Sequence, residues 1–320
     1  MLSTEVASRS LHEASMVEKH EQWMALHGRV YKDAAEKEMR FKIFKANVEH
    51  IEAFNNESGK SYKLGVNAFI DLTDEEFRAS RTGFKVSSNP RTTSFRYENL
   101  TEVPSSVDWR QKGAVTPVKD QGNCGCCWAF AAIAATEGVN QLSTGELISL
   151  SEQQLVDCDT NLNRGCNGGN KVEAFKFIIQ NGGISTETNY PYKGIDGTCS
   201  MTKDTSYVAK ITGYEYVPAN NEAALLNAVA MQPVSVSIDA SGKGFQLYKS
   251  GVFTGECGTQ LQHAVTVVGY GTDDDGTKYW LVKNSWGTTW GEDGYIRMQR
   301  DVGSQEGLCG IAMRASYPTA

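Results

Sequence analysis

The chain has 320 residues, enough for one large domain or two ordinary ones with real hydrophobic cores, so a peptide or mini-protein is excluded. With 40% hydrophobic and 22% charged residues it is composed like a soluble globular protein, and no run of about 18 apolar residues offers a membrane span. A net charge of -7 with scattered Lys and Arg argues against a nucleic acid or an anionic membrane as partner.

Composition divides the chain in two. All 8 Cys lie between Cys124 and Cys309, whereas His12, His20, His27 and His50 precede them and only His263 lies among them. Up to Glu102 there are 15 Lys+Arg against 16 Asp+Glu, and from Val103 onward 16 against 22, so the acidity belongs to the second piece. The Cys content fits disulfides in an oxidising compartment, with a zinc site as the weaker alternative because one His and the crowded Cys124, Cys126 and Cys127 make a poor tetrahedral set. The opening MLSTEVASRSLHEAS lacks the apolar run of a signal peptide, so a secretory chain is expected to begin after its signal or to be truncated.

The first piece reads as helical. Val17, Trp23, Met24 and Leu26 recur at near-helical spacing over residues 16–31, and Met39, Ile43, Phe44, Val48, Ile51 and Phe54 do so over residues 34–55. Residues 62–69 alternate like a short strand, and residues 73–77 start with the capping-box pattern T-D-E-E. Residues 83–101 are polar and aperiodic, which predicts a linker ending near Glu102.

In the second piece, residues 129–142 are almost free of helix breakers and predict a buried helix starting at about Cys127. Residues 233–238, 263–270, 278–284 and 294–299 then show β-branched or aromatic runs between Gly, Asp and Asn clusters. A helical half followed by a strand-rich half gives the fold class α+β, with a cleft between the lobes.

A thiol at a helix N-terminus is favoured as thiolate, which singles out Cys127 although a Cys there is by itself usually a small buried hydrophobe. His263 is the one local imidazole, and Asn284 beside Trp286 is placed to orient it by a second hydrogen bond while the indole excludes water. Gln121 on the Gly-rich turn can join the Cys127 N–H as donor to an oxyanion.

The combination of QGNCGCCWAF from Gln121, CNGG from Cys166, the His263 to Gly271 stretch and NSWG from Asn284 resembles the papain family of cysteine proteases. In the first piece, Glu36, Arg40, Ile43, Phe44, Asn47, Ile51 and Asn55, followed by Gly65, Asn67, Phe69 and Asp71, match the propeptide pattern of cathepsin L-like members. Plant senescence-associated proteases, which carry adjacent cysteines before the Trp, are the nearest likeness. The resemblance implies a two-lobe papain-like fold, one lobe helical and one β-barrel-like. It makes residues 1–102 a helical inhibitory prodomain lying in the cleft opposite to substrate direction, and residues 103–320 the peptidase. It gives Cys127 as nucleophile, His263 as base and acid, Asn284 as its orienter and Gln121 as oxyanion donor. Gly168 and Gly169 become the rim that pairs with an extended peptide, with Trp286 as shield. The implied disulfides are Cys124 with Cys166, Cys158 with Cys199, and Cys257 with Cys309, leaving Cys126 and Cys127 unpaired. A papain-type thiol has a pKa of roughly 3 to 4, implying an ion pair with the imidazolium across acidic pH.

The further implications are a monomer acting on proteins and peptides, with its own propeptide as intramolecular inhibitor. No metal or organic cofactor is called for. The destination is the secretory pathway, ending in a lytic vacuole, a lysosome or the extracellular space. Some residues depart from the family pattern. Gln262 stands where papain has Asp, so a carboxylate tuning the acid limb is missing. Asn170 and Lys171 follow the CNGG where relatives carry apolar residues, and Arg314 falls near the base of the pocket for the second residue upstream of the cut. Leu261, Ala264 and Ser237 are expected as its walls, with hydrophobic residues accepted and Arg314 admitting an acidic one. A C-x-x-C oxidoreductase built on Cys124 and Cys127 and a catalytically silent relative are the competing functions. Asp273 to Asp275 reads as a hairpin turn rather than a cation site, and Asn56 and Asn99 lie in glycosylation sequons.

Overall fold

The computed structural model describes residues 2–86, 94–200 and 207–320, with residues 2–12 by backbone alone. The first piece begins with α1 (Leu2–Leu26), which ends ahead of Gly28 at φ +60°. It starts well before the expected 16–31 segment, and its buried face is Met16, His20 and Trp23, whereas Val17 and Leu26 are exposed. Ahead of Met16 the large apolar residues Leu2, Val6 and Leu11 are sparse among Ser, Thr and charged residues, so the hydrophobic pattern marks that part of the helix only weakly. Helix α2 (Ala34–Asn56) is capped by Asp33, whose side chain accepts from the Glu36 N–H, and it buries Phe44, Asn47, Val48 and Ile51.

Strand β1 (Tyr62–Leu64) is shorter than the alternating stretch 62–69. Beyond Leu64 the Asn67 side chain takes over, accepting from the Phe69 N–H and donating to the Gln246 carbonyl. Such local side-chain bonds compete with a ladder and end the strand. Helix α3 (Asp74–Arg81) carries the full Thr73–Glu76 capping box.

The second piece opens with β2 (Val107–Asp108) and the buried helix α4 (Cys127–Thr144), which stops at Gly145 in the left-handed conformation. Helices α5 (Glu152–Cys158) and α6 (Lys171–Gln180) pack with α4 around Trp128, Ile133, Leu155, Phe175 and Ile178, the core of the helical lobe. Then come β3 (Gly213–Tyr216), α7 (Glu222–Met231), β4 (Val234–Ile238), the short α8 (Lys243–Gln246), β5 (Tyr248–Phe253), β6 (His263–Thr272), β7 (Lys278–Lys283), β8 (Tyr295–Gln299) and β9 (Ser316–Thr319). The hairpin between β6 and β7 turns at Gly276, φ +85°, where the Asp cluster was expected to turn.

The sheet runs in the order β1-β5-β8-β7-β6-β4-β9-β3, with β2 on β6. It is a mixed sheet that stays open, because β1 and β3 stand at its two ends without pairing with each other, so strand bonding does not close a barrel among the described residues. One end is supplied by the first piece of the chain. Tyr62 pairs with Gly251 and Lys63 with Ser250, so β1 covers the β5 edge as an added strand. The first piece and the strand-rich lobe also share one core, in which Phe69 and Phe77 meet Trp286 edge-on at 6.1 and 4.9 Å.

A buried charge network ties the lobes together. Lys119 bonds Glu137 of α4 and Glu152 of α5, Thr116 donates to Glu137, and Lys283 of β7 donates to Thr116. Buried charges tolerate such sites when paired and hydrogen-bonded, as Lys119, Glu137 and Glu152 are, while Lys283 joins them through Thr116.

Candidate active site

Two element starts meet at the cleft. Cys127 is the first residue of α4, so its N–H has no acceptor within the helix, and the helix dipole favours negative charge there. His263 is the first residue of β6, and the next residue, Ala264, packs with Cys127, its N–H favouring the thiolate. Thr266 further ties β6 to α4 by donating to the Ala131 carbonyl at 3.3 Å.

His263 Nε2 lies 2.8 Å from Asn284 Oδ1, and the Ser285 N–H donates to the same oxygen at 2.8 Å. An atom that accepts from a backbone N–H is the amide oxygen, so Nε2 carries the hydrogen and Nδ1 is the bare nitrogen of the neutral ring. Nδ1 has no hydrogen-bond partner. The Trp286 indole stacks on the imidazole at 4.6 Å and 25°, and its Nε1–H donates to the Arg81 carbonyl at 3.1 Å.

Gln121 is fully buried, with Ser285 Oγ donating to its Oε1 at 2.6 Å and its Nε2 donating to the Cys124 carbonyl at 2.8 Å. That uses one of the two amide hydrogens. Disulfides join Cys124 to Cys166, Cys158 to Cys199 and Cys257 to Cys309, the same pairs the resemblance implies. Cys126 and Cys127 are free and buried, and Cys126 Sγ lies 3.0 Å from Tyr192 Oη, which donates to the Gln121 carbonyl.

The cleft is filled by the chain itself. Residues 83–85, expected within a linker, run through it in extended form: Gly83 and Phe84 donate to the Gln262 carbonyl, Gly169 donates to Gly83, and Lys85 donates to Gly169. Phe84 pairs in parallel with Gly169, and Asn170 Nδ2 donates to the Lys85 carbonyl. A polar, Gly-containing segment looks like a linker in isolation because its partners are far along the chain. Residues 87–93 of that linker lie outside the described residues, while Arg96 beyond them pairs with Glu215 and Tyr97 packs on Tyr317. Gly168, at φ +104°, is so close to the Gly83 carbonyl that a side chain there would displace the segment.

The Phe84 ring packs with Cys127, Ala131, Leu261, Ala264 and Met313. Ser237 of β4 meets this pocket through Lys171, whose Nζ donates to Ser237 Oγ at 2.6 Å and to the Arg314 carbonyl at 2.7 Å. Arg314 thus contributes its carbonyl to the floor, and the cation facing the Phe84 ring, at 4.8 Å, is Lys171. Sequence reasoning missed Phe84 as a site residue and met Lys171 only as a departure from the apolar pattern after CNGG. Gln262 donates to Asp239 Oδ1 at 2.8 Å, so a carboxylate stands one side chain away from the position where papain has Asp.

Burial pushes the Cys127 thiol up to about 12, against the N–H groups of Ala264, Trp128 and Phe84 that favour the thiolate. Burial likewise pushes His263 down to about 4, against its bond to Asn284. The covered site therefore favours a neutral thiol and imidazole, not the ion pair implied for an open papain-type site. The reason is solvent exclusion, to which the Phe84 ring of the covering segment contributes.

Residues 103–319 match the papain family cysteine protease domain, and residues 20–77 match the cathepsin propeptide inhibitor domain. The chain belongs to the papain family of cysteine proteases. Among similar proteins are the senescence-specific cysteine protease SAG39 of Oryza sativa subsp. indica, 57% identical over 326 residues and covering 100% of this chain and 95% of that one. The senescence-specific cysteine protease SAG12 of Arabidopsis thaliana is 57% identical over 317 residues, 96% and 91% of the two chains. A recombinant stem bromelain precursor superposes with a TM-score of 0.90 at 53% identity, covering 95% of this chain and 99% of that one. This papain-family chain is thus a cysteine protease with its propeptide attached, held as a zymogen.

Proposed function

We infer that residues 1–102 act as an inhibitory prodomain and residues 103–320 as an endopeptidase released by a cut near Val103. Once the cleft opens, water and substrate replace the covering segment, and the desolvation that keeps Cys127 and His263 neutral is relieved. The Cys127 proton then moves to His263 Nδ1, giving the thiolate and imidazolium. The thiolate attacks the scissile carbonyl carbon, and the oxyanion takes hydrogen bonds from the Cys127 N–H and the second Gln121 Nε2–H. His263 returns its proton to the leaving amine as the C–N bond breaks, leaving a thioester. It then takes a proton from water, whose oxygen attacks the thioester and frees the acid and the thiolate. Asn284 holds the ring and Trp286 shields the bond between them.

The observation that carries this reading is the bond pattern of Nε2, Asn284 and Ser285, which leaves Nδ1 bare beside the residue that contacts the thiol. The substrate is an extended protein segment paired with Gly168 and Gly169, taken at acidic pH by a monomer in protein degradation. A lytic vacuole, lysosome or extracellular space suits such an enzyme, and two relatives are named as senescence-specific. Following the ultraviolet absorbance of the thiolate through prodomain removal tests the mechanism. A thiolate that appears with removal and is absent from Cys127→Ala supports it; no thiolate at any acidic pH after removal contradicts it.

A further inference from the structure

Lys171 occupies an expensive position. It is the first residue of α6, where the helix dipole disfavours a cation, and its side chain is buried with 2% of its surface exposed. Its two hydrogen-bond acceptors, Ser237 Oγ and the Arg314 carbonyl, are both neutral. Among the described residues no carboxylate lies within ion-pair distance of it. A buried ammonium without a counter-charge is destabilising, so packing gives no reason for a lysine here. Two of its three N–H directions are spent on these oxygens, and it faces the Phe84 ring at 4.8 Å. An ammonium over an aromatic face is the weaker substitute for an anion.

We propose that Lys171 is a specificity-determining residue that makes the subsite held by Phe84 accept a substrate carboxylate, Glu above its neutral isostere Gln. This rests on the protease reading, in which the side chain of the second residue upstream of the cut replaces Phe84. A glutamate carboxylate reaches about as far from its Cα as the far edge of the phenyl ring, and with the ring gone its torsions can turn it to the side on which the ammonium stands, 4.8 Å from the ring centroid. The lysine is already desolvated and held by Ser237 and Arg314, so the pair forms without further ordering of the cation. The charged groups that act on Lys171 are the Arg314 guanidinium, which opposes its charge, and the Cys127 thiolate, which favours it. Burial lowers Lys171 to about 7, so it is charged at the acidic pH at which the enzyme is expected to work and loses charge above neutrality. Arg314 offers its carbonyl to the floor, and its guanidinium adds a second positive charge near the subsite.

The test uses the activated enzyme and three reporter peptides that differ only in Phe, Gln or Glu at that position. At pH 6 the ratio of kcat/KM for Glu over Gln is expected to be about tenfold, one charge-assisted hydrogen bond. It should fall to one or below in Lys171→Met and in Lys171→Gln, and in wild type it should shrink as pH rises through 8. The Phe peptide reports whether each variant is folded and competent, and the two substitutions differ in whether they keep hydrogen bonds to Ser237 and Arg314. A wild-type ratio of one or less, or a ratio unchanged by either substitution, overturns the proposal while hydrolysis of the Phe peptide leaves the protease reading standing. No hydrolysis of the Phe peptide by wild type overturns both.

Discussion

Gly83 of the prodomain and Gly125 of the peptidase meet backbone to backbone, so closely that a methyl group on Gly83 would overlap the Gly125 carbonyl. The contact is what lets residues 83–85 lie flat in the cleft and pair with both Gln262 and Gly169. Gly83→Ala is expected to lift the segment. Overpacking of this kind costs about 1–3 kcal/mol, so self-processing should run roughly five- to a hundredfold faster at a mildly acidic pH. An unchanged rate of conversion would show that these residues do not hold the zymogen shut.

His20 gives the prodomain a pH dependence. It is buried between Trp23, Tyr31, Phe41 and Phe44, and burial holds its pKa below the ordinary 6.5. Below 6.5 the unfolded prodomain binds the proton first, so stability is lost as pH falls from there toward the folded value. Glu76 acts later. Its bond from Arg40 leads the effects that keep it below the ordinary 4.5, so that contribution is lost only below 4.5. His20→Phe should therefore shift the midpoint of acid conversion to lower pH, read by following chain mass across pH 4 to 7. A midpoint that stays in place would remove His20 from the account.

Asn284→Ala removes the bond that fixes the imidazole. One hydrogen bond to a charged group is worth about 1.5–3 kcal/mol, so kcat should fall roughly 10- to 100-fold with little change in KM. Steady-state kinetics on the activated variant check this, and a loss confined to KM would mean that Asn284 binds substrate instead of orienting His263.

Cys126 is the inert member of the cysteine pair. Burial raises its thiol pKa, against its bond to Tyr192, and it has no position at a cleft. Iodoacetamide should add once to the activated enzyme and not at all to Cys127→Ala, as read by intact mass. A second rapid adduct would place Cys126 within reach of solvent.

What could be read in the sequence follows from range. The capping box at Thr73, the breaker-free helix after Cys127 and the β-branched strand from His263 are local patterns, and each stands within a few residues of its expected place. Residues 83–85 look like a linker because their hydrogen-bond partners, Gly169 and Gln262, are distant in sequence. Strands β3 and β9 escaped notice for the same reason, being short segments that pair with each other across the length of the peptidase. Lys171 was visible as a departure, but a lysine is ordinarily solvated and only the fold shows it buried beneath Phe84.

The most direct measurement holds the purified full chain at pH 4 to 5 with a reductant and follows chain mass together with hydrolysis of a Phe-Arg reporter peptide, beside Cys127→Ala. The account predicts loss of about a hundred N-terminal residues and the appearance of activity in the wild type alone. If the prodomain is removed, by acid or by an added protease, and the wild type still cleaves nothing, the claim of a self-inhibited cysteine protease is contradicted.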